Sequence, residues 1–289
     1  MKKFEYTYKA LATICSITII RENDVWLNKI INHCYDITTR FENEFSRFKS
    51  DSTLSKLNTN KKQEVSDDFL TLIYKSRDIY KMTQGYFNPL IDVRKIGYSH
   101  SFTDGNFEVL DVQEDLNFDN VKNYWSLLEI DTNMNIDLWS IAKWYLAEKI
   151  SRYLVEKGYK NNFCNMWGDI YASWHNLEWK KWQIAITSPF WVIEPAAVVE
   201  VSNNSVSTSG TYLRNWEVWG KKVHHIRNPY SDEVESELVS VTIISNTWYM
   251  SDALATAVIA MGRQKAIDFC EKNNIKYLFV ISNGDIVQN

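Results

Sequence analysis

The feature that most restricts the fold is a run of predicted β-strands between residues 159 and 205, which no helix interrupts. Runs of apolar and β-branched residues between polar clusters predict these strands at 161–165, 170–174, 182–186 and 196–201. Helical patterns lie on both sides of the run, so helices and strands are interleaved while many strands are neighbours in sequence. This arrangement predicts an α+β fold with a largely antiparallel sheet.

Periodicity predicts the remaining elements. A helical spacing of apolar residues predicts helices at 24–48, 67–83 and 141–157, and from residue 252 to near Gly262. Further strands are predicted at 5–21 (a pair), 125–131, 239–245 and 277–281, the last being the final strand. We expect a loop at 86–98, a small-residue turn at 205–210, and an acidic, variable excursion at 99–123.

Composition excludes several classes of function. The formal net charge is -4, which argues against nucleic-acid binding. The four cysteines are far apart and form no C-x-x-C pair, so we expect buried thiols in a reducing compartment rather than zinc ligands or disulfides. No apolar run is long enough to span a membrane, and no small-residue cleavage site follows the weakly signal-like start. These features predict a cytoplasmic protein.

One segment near the C-terminus has the composition of a metal-phosphate site. Ser251 is expected to cap a helix whose first residue is Asp252, and Thr256 then lies four residues on, on the same face. A carboxylate and a hydroxyl at a positive helix end suit Mg²⁺ bound to phosphate. The alternative is a capped surface helix with an alanine-rich packing face.

Three other segments contain groups that could carry chemistry. Asp137 and Lys143 stand at a predicted helix start, although an N-capping aspartate and a solvated lysine would look the same. The hydroxyl-rich segment 205–212 could cradle a phosphate through its backbone N–H groups, or be a plain serine-rich turn. The pair His224 and His225 precedes a turn, and is either structural or a source of acid–base catalysis.

These segments, taken in this order, resemble the ApbE family of FAD:protein FMN transferases. The matching motifs are FSRF at 45–48 with DS at 51–52 and LSKLN at 54–58, TQGYFNP at 83–89, DLWSIAKWY at 137–145, NMWGDI at 165–170, STSGTY at 207–212, HIRNP at 225–229 and SDALAT at 251–256. Seven motifs in one order are far more specific than any one of them. The resemblance covers nearly the whole chain, which is therefore expected to be a single domain, 1–289.

The resemblance implies a fold of two subdomains with an FAD cleft between them. It implies an enzyme that uses Mg²⁺, transfers the FMN half of FAD to a threonine hydroxyl of an acceptor flavoprotein, and releases AMP. Asp252, Thr256 and the backbone oxygen of Ser140 would bind the metal, and His225 would be the catalytic residue. The residues expected to contact FAD are Leu11, Phe48, Tyr86, Phe87, Asn88, Asp137, Lys143, Ser209, Gly210 and Ile226.

Several tryptophans depart from the family pattern. The chain has 12 Trp and only 9 Gly, whereas ordinary usage near 7% would give roughly twenty glycines. Tryptophan stands where the motifs carry glycine at positions 139, 144, 167 and 174, and also at 216 by a weaker match, whereas Trp182 suits its strand. Three explanations stay open: a degenerate relative that has lost FAD, a remodelled tryptophan-lined site, or UGA codons that mean glycine but are read as tryptophan. Asn88 and Asn228 also replace the family's aspartates.

Other functions remain possible on this sequence. An FAD pyrophosphatase would use water in place of the threonine hydroxyl, and a non-catalytic flavin-binding protein would fit genuine tryptophans in the cleft. A carbohydrate-binding module could use the 12 Trp and 16 Tyr as stacking platforms. That last function leaves the Asp252 and Thr256 pair unexplained.

Overall fold

The structure is a computed structural model, which describes residues 1–10, 13–23, 25–98, 107–111, 114–190, 193–218, 220–231, 237–246 and 250–289. The α-helices are α1 (Leu27–Phe45), α2 (Thr53–Asn60), α3 (Asp67–Met82), α4 (Trp139–Glu156), α5 (Ser251–Met261) and α6 (Arg263–Lys272). The strands are β1 (Lys2–Ala10), β2 (Thr13–Arg21), β3 (Lys62–Glu64), β4 (Lys122–Tyr124), β5 (Leu127–Glu129), β6 (Asn162–Met166), β7 (Asp169–Ser173), β8 (Trp182–Ile186), β9 (Ala197–Val201), β10 (Asn204–Gly210), β11 (Asn215–Val218), β12 (Lys221–His224), β13 (Leu238–Ser245), β14 (Lys276–Ile281) and β15 (Ile286–Gln288).

A large antiparallel sheet organises the molecule. Its eight strands lie in the order β1-β2-β6-β7-β10-β13-β14-β15, and each neighbouring pair is antiparallel. Smaller antiparallel groups are β3-β5-β4, β8-β9 and β11-β12. The predicted α+β class with a largely antiparallel sheet is therefore confirmed.

The two faces of the large sheet are covered by different elements. Helices α4 and α5 pack on one face, against β6, β7, β10 and β13. On the other face, β8 and β9 form a second apolar cluster with the sheet. Successive side chains of β14 point to opposite faces of the sheet. Phe279 packs in the core under the helices, whereas Leu278 and Val280 pack in the cluster with β8 and β9.

Three local predictions are wrong. Residues 205–210 form strand β10 rather than a turn, because their hydroxyls find partners on adjacent elements: Thr208 bonds Thr242 across β13 at 2.9 Å. Residues 204–206 of this strand pair with β7 and residues 205–210 pair with β13, so the segment is sheet rather than turn. Ser251 is the first residue of α5 and makes no cap; its hydroxyl lies 2.9 Å from that of Ser207. The strand at 277–281 is followed by β15.

Other expectations agree with the structure where it describes them. All four cysteines are free and buried, and the segment at 86–98 is a loop with one 3-10 turn, Val93–Ile96. Of the predicted excursion at 99–123, residues 99–106, 112 and 113 lie outside the described residues, as does Leu11. Within the described ranges, no helix combines the length and apolar character needed to cross a bilayer.

Candidate active site

A cleft with a cavity volume of about 390 Å³ lies where α4 and α5 begin beside the end of β10. Its volume lies within the usual range for small-molecule sites. Among the residues that line it are Tyr86, Phe87, Asn88, Asp137, Ser140, Lys143, Ser209, Gly210, His225, Ile226, Asp252 and Thr256. The fold thus brings together side chains that are far apart in sequence, from Arg47 to Thr256.

A buried charge cluster forms one wall of the cleft. Lys143, on the first turns of α4, contacts Asp169 at the start of β7, and its Nζ lies 3.4 Å from Asp252 Oδ2. All three side chains are at most 8% exposed. Burial by itself would lower the pKa of Lys143, but the two carboxylates outweigh it and raise that pKa. The lysine is therefore charged, and the solvated-lysine alternative is wrong.

Asp252 is an unusually placed carboxyl. Burial, together with the nearby Asp169, raises its pKa well above the ordinary value, although Lys143 opposes this shift. It lies in the first turn of a helix that is buried almost throughout, so the capped-surface-helix alternative is also wrong. A buried carboxyl that is costly to ionise is a suitable place for a cation to bind.

The hydroxyls beside Asp252 come from β10 and α5. Thr256 lies one helical turn after Asp252, and its Oγ1 is 3.3 Å from Ser209 Oγ. Gly210 then ends the strand, and a Cβ at this position would approach Tyr212 Cε1 to 2.7 Å. A larger residue here would therefore have to displace the Tyr212 ring. Ser209, Thr256 and Asp252 all line this cavity.

Asp137 organises the start of α4. Its Oδ1 accepts a hydrogen bond from the Trp139 backbone N–H at 2.8 Å, and its Oδ2 accepts one from Arg47 Nη1 at 2.5 Å. Leu138, rather than Asp137, is the N-cap residue. Ser140 follows in the first turn and lines the cleft.

The segment at 86–88 supplies aromatic rings that are already anchored. The Tyr86 hydroxyl accepts a hydrogen bond from Lys265 Nζ at 2.6 Å, and Phe87 is only 1% exposed. Asn88 bonds two backbone groups, the Leu116 carbonyl and the Leu90 N–H. Asparagine can donate and accept at once, which a carboxylate in its place could not do.

His225 faces the cleft from the segment after β12. Burial, together with the nearby charges of Arg214 and His224, lowers its pKa to about 3. Its Nδ1 is buried and has no hydrogen-bond partner among the described residues. The imidazole is therefore neutral at physiological pH and has a ring nitrogen available to a ligand.

The sequence profile of the ApbE family matches residues 11–279. This chain belongs to the ApbE family. Named relatives include the FAD:protein FMN transferase of Haemophilus influenzae, 27% identical over 266 residues that cover 85% of this chain and 77% of that protein. The enzyme of the same name from Vibrio cholerae is 25% identical over 84% of this chain and 76% of its own.

Solved ApbE structures share the fold. The Thermotoga maritima ApbE protein superposes with a TM-score of 0.87 at 22% identity, covering 100% of this chain and 97% of the other. The apo flavinyl transferase ApbE of Pseudomonas stutzeri gives 0.86 at 20% identity, covering 100% and 94%. At these identities, the likeness concerns the fold.

One predicted residue of the ApbE site does not line the cleft, and another lies outside the described residues. Phe48 is 45% exposed and is not among the lining residues; it contacts the cleft indirectly, with its ring 6.4 Å from that of Trp139. Leu11 lies outside the described residues. The preceding residue, Arg47, does line the cleft, and the contact between Phe48 and FAD stays a prediction.

The sequence did not predict three charged residues of the site. Arg47 and Arg214 line the cleft, and Asp169 contacts Lys143. Arg47 and Asp169 lie inside motifs that had been recognised, FSRF and NMWGDI, so their charge was the available signal. Arg214 lies in the bend after β10, beside Trp167, with its guanidinium carbon 4.4 Å from the ring centroid. No motif in the chain marks it.

Proposed function

We propose that this chain transfers the FMN moiety of FAD to a threonine hydroxyl of an acceptor flavoprotein, releases AMP, and requires Mg²⁺. One observation carries the proposal: Asp252, Thr256, Ser140 and His225 all line one cleft. Membership of a family whose named relatives are FAD:protein FMN transferases supports flavin transfer in general.

The donor set fits a divalent cation shared with phosphate. The described residues contain no group of three acidic, His or Cys side chains that could enclose a metal. Mg²⁺ prefers a different arrangement, with one or two carboxylates, water and substrate phosphates. Asp252, Thr256 and the Ser140 carbonyl would supply the protein oxygens. When bound, the ion would neutralise charge on the diphosphate.

The cationic side chains of the cleft suit the same substrate. Lys143 is charged, and Arg47 and Arg214 reach the cavity from two other elements. FAD carries two negative charges on its diphosphate, and arginine forms strong, paired hydrogen bonds with phosphate oxygens. These residues would orient the diphosphate, while Tyr86 offers a ring for the flavin.

His225 is suited to manage the proton of the acceptor. In the transfer, the threonine oxygen forms a bond to the FMN phosphorus, the bond from that phosphorus to the AMP oxygen breaks, and the hydroxyl proton must leave. The neutral imidazole would take that proton at a ring nitrogen. The negative charge of bound FAD would raise the low pKa of His225 and make it a better base.

A reconstituted reaction tests the proposal. The protein is incubated with FAD, Mg²⁺ and a flavoprotein domain whose threonine accepts FMN; covalent flavin is read in a denaturing gel and AMP by chromatography. Asp252→Asn should abolish both products, because the substitution removes the anionic metal ligand. Asp268→Asn, on the exposed side of α6, is the matched control and should keep full activity.

Other outcomes would decide against transfer. AMP without covalent flavin would identify an FAD pyrophosphatase. Tight FAD binding with neither product would identify a non-catalytic flavin protein, which Trp139 and Trp167 in the cleft lining would favour. Full activity of Asp252→Asn would refute the metal assignment. The single-domain extent and cytoplasmic location stay predictions.

A further inference from the structure

Five tryptophans combine two properties that rarely occur together. Their backbone φ angles lie between 54° and 71°, and each side chain is between 41% and 94% exposed. A bulky residue with positive φ is a backbone outlier, because its Cβ collides with the chain. None of the five indoles is buried in the core, where close packing could offset this strain. The five are Trp26, Trp125, Trp167, Trp174 and Trp179.

Two of them stand in turns that select glycine. Trp125 and Ser126 form the two-residue loop between β4 and β5, with Tyr124 paired to Leu127. Trp167 and Gly168 form the loop between β6 and β7, with φ of 61° and 92°. Two-residue hairpin loops use turns that require positive φ at the first central residue, which glycine adopts without strain.

Other tryptophans in the described part of the chain look different. Trp182 is 8% exposed and donates its indole N–H to the Ser173 carbonyl at 3.0 Å. Trp216 is 6% exposed and donates to the Ile96 carbonyl at 2.6 Å. Trp144 is buried to 1%, yet its indole nitrogen has no hydrogen-bond partner, which is unusual for a buried tryptophan.

We infer that the protein made in the cell carries glycine, not tryptophan, at positions 26, 125, 167, 174 and 179, and that it carries tryptophan at 182 and 216. One cause accounts for both groups: a gene in which UGA encodes glycine and UGG encodes tryptophan. It also accounts for the 12 Trp and 9 Gly in the chain. We also assign glycine to position 144, because the buried indole nitrogen of Trp144 has no hydrogen-bond partner.

The inference changes the proposed site at one position. Trp167 lines the cleft and lies against the guanidinium of Arg214 at 4.4 Å. Glycine at 167 removes this ring from the mouth of the cleft and leaves Arg214 free to meet an anionic ligand. The φ angles and the exposure of these tryptophans are independent of the proposed reaction.

Peptide mass spectrometry of the protein from its source cells tests the inference directly. We expect glycine-containing peptides at 26, 125, 144, 167, 174 and 179, tryptophan-containing peptides at 182 and 216, and UGA and UGG codons to match. Tryptophan at the five positive-φ positions, or UGG codons there, would overturn the inference.

A recombinant comparison gives an independent test. The full chain as printed is compared with a variant that carries glycine at all five positive-φ positions, by thermal unfolding. The glycine variant should melt at a higher temperature, because five strained backbones relax and little buried surface is lost. Trp182→Gly, the matched control, should lower the melting temperature. An unchanged or lower melting temperature for the five-glycine variant would contradict the inference.

Discussion

At the scale of the single residue, the backbone can reveal which side chain a position requires. Trp125 is 94% exposed with φ of 61°, so its indole contributes almost no burial while its Cβ strains a two-residue turn. Neither hydrophobicity nor hydrogen bonding explains a tryptophan there. Exposed aromatic residues are common in proteins. What is unusual at Trp125 is the positive φ, which strains any residue that has a Cβ.

Trp125→Gly should therefore stabilise the recombinant chain by about 0.5–1 kcal/mol, since relief of left-handed strain outweighs the entropy of an added glycine. Urea unfolding measures the free energy difference. Trp125→Ala is the control: it removes the indole but keeps the Cβ, so its stability should stay close to that of the parent. A larger gain from alanine than from glycine would show that the indole, not φ, is the source of strain.

The second prediction at this scale concerns His225. His225→Gln should lower kcat for flavin transfer by roughly 10²- to 10⁴-fold while FAD still binds, because the proton acceptor is lost but the cleft remains. His33→Gln, in α1, is the control and should react normally. With a pKa of about 3, the free enzyme's kcat/KM should show no histidine ionisation near pH 6.5. A clear titration there would contradict the neutral assignment.

At the scale of the element, α4 contains a buried carboxyl away from the cleft. Burial raises the pKa of Glu148 to about 7, and Arg152, at 3.7 Å, and Lys75 only partly oppose this. The folded state therefore binds a proton more tightly than the unfolded chain does. This group's contribution is complete below about pH 4.5 and is lost as pH rises through about 7.

Glu148→Gln should consequently be more stable than the parent at pH 8, by about 1–2 kcal/mol, and nearly equal to it at pH 4.5. Denaturant unfolding at the two pH values measures the difference. Glu156→Gln, an exposed carboxyl at the end of the same helix, should show no such dependence. Equal stability of Glu148→Gln and the parent at pH 8 would contradict the raised pKa.

Strand β10 was not predicted from the sequence, and its contacts explain why. Its residues are serine, threonine, valine, asparagine and glycine, which the sequence alone favours as a turn. In the fold, Ser207 and Ser209 bond hydroxyls of α5, and small side chains allow that helix to lie close to the sheet. Tertiary partners outweigh local preference here, as they often do for strands.

At the scale of the whole molecule, the cleft joins segments that are distant in sequence. Arg47 and Asn88 lie in two connecting segments, Lys143 lies in α4 and Thr256 in α5, yet all four line the same cavity. A ligand that contacts all of them binds the folded chain but not the unfolded one, so it stabilises the entire domain.

The complex of Mg²⁺ with FAD, at about a hundredfold excess over its dissociation constant, should raise Tm by roughly 5 °C, since such binding contributes about 2.7 kcal/mol. Thermal unfolding with and without EDTA separates the part that depends on metal. In Asp252→Asn the EDTA-sensitive part should vanish. If the melting temperature with FAD were the same with and without Mg²⁺, a shared metal-diphosphate site would be contradicted.

Local patterns of the sequence were enough to predict the α+β class, most helices and the family, because alternation, helical periodicity and ordered motifs are properties of neighbouring residues. They also identified Lys143, Asp252 and Thr256 as chemically notable. Only the tertiary structure revealed that Lys143 is buried between two carboxylates, that Arg214 reaches the cleft, and that Phe48 does not line it. Burial, charge pairing and backbone dihedral angles arise from contacts between distant segments, and no local pattern encodes them.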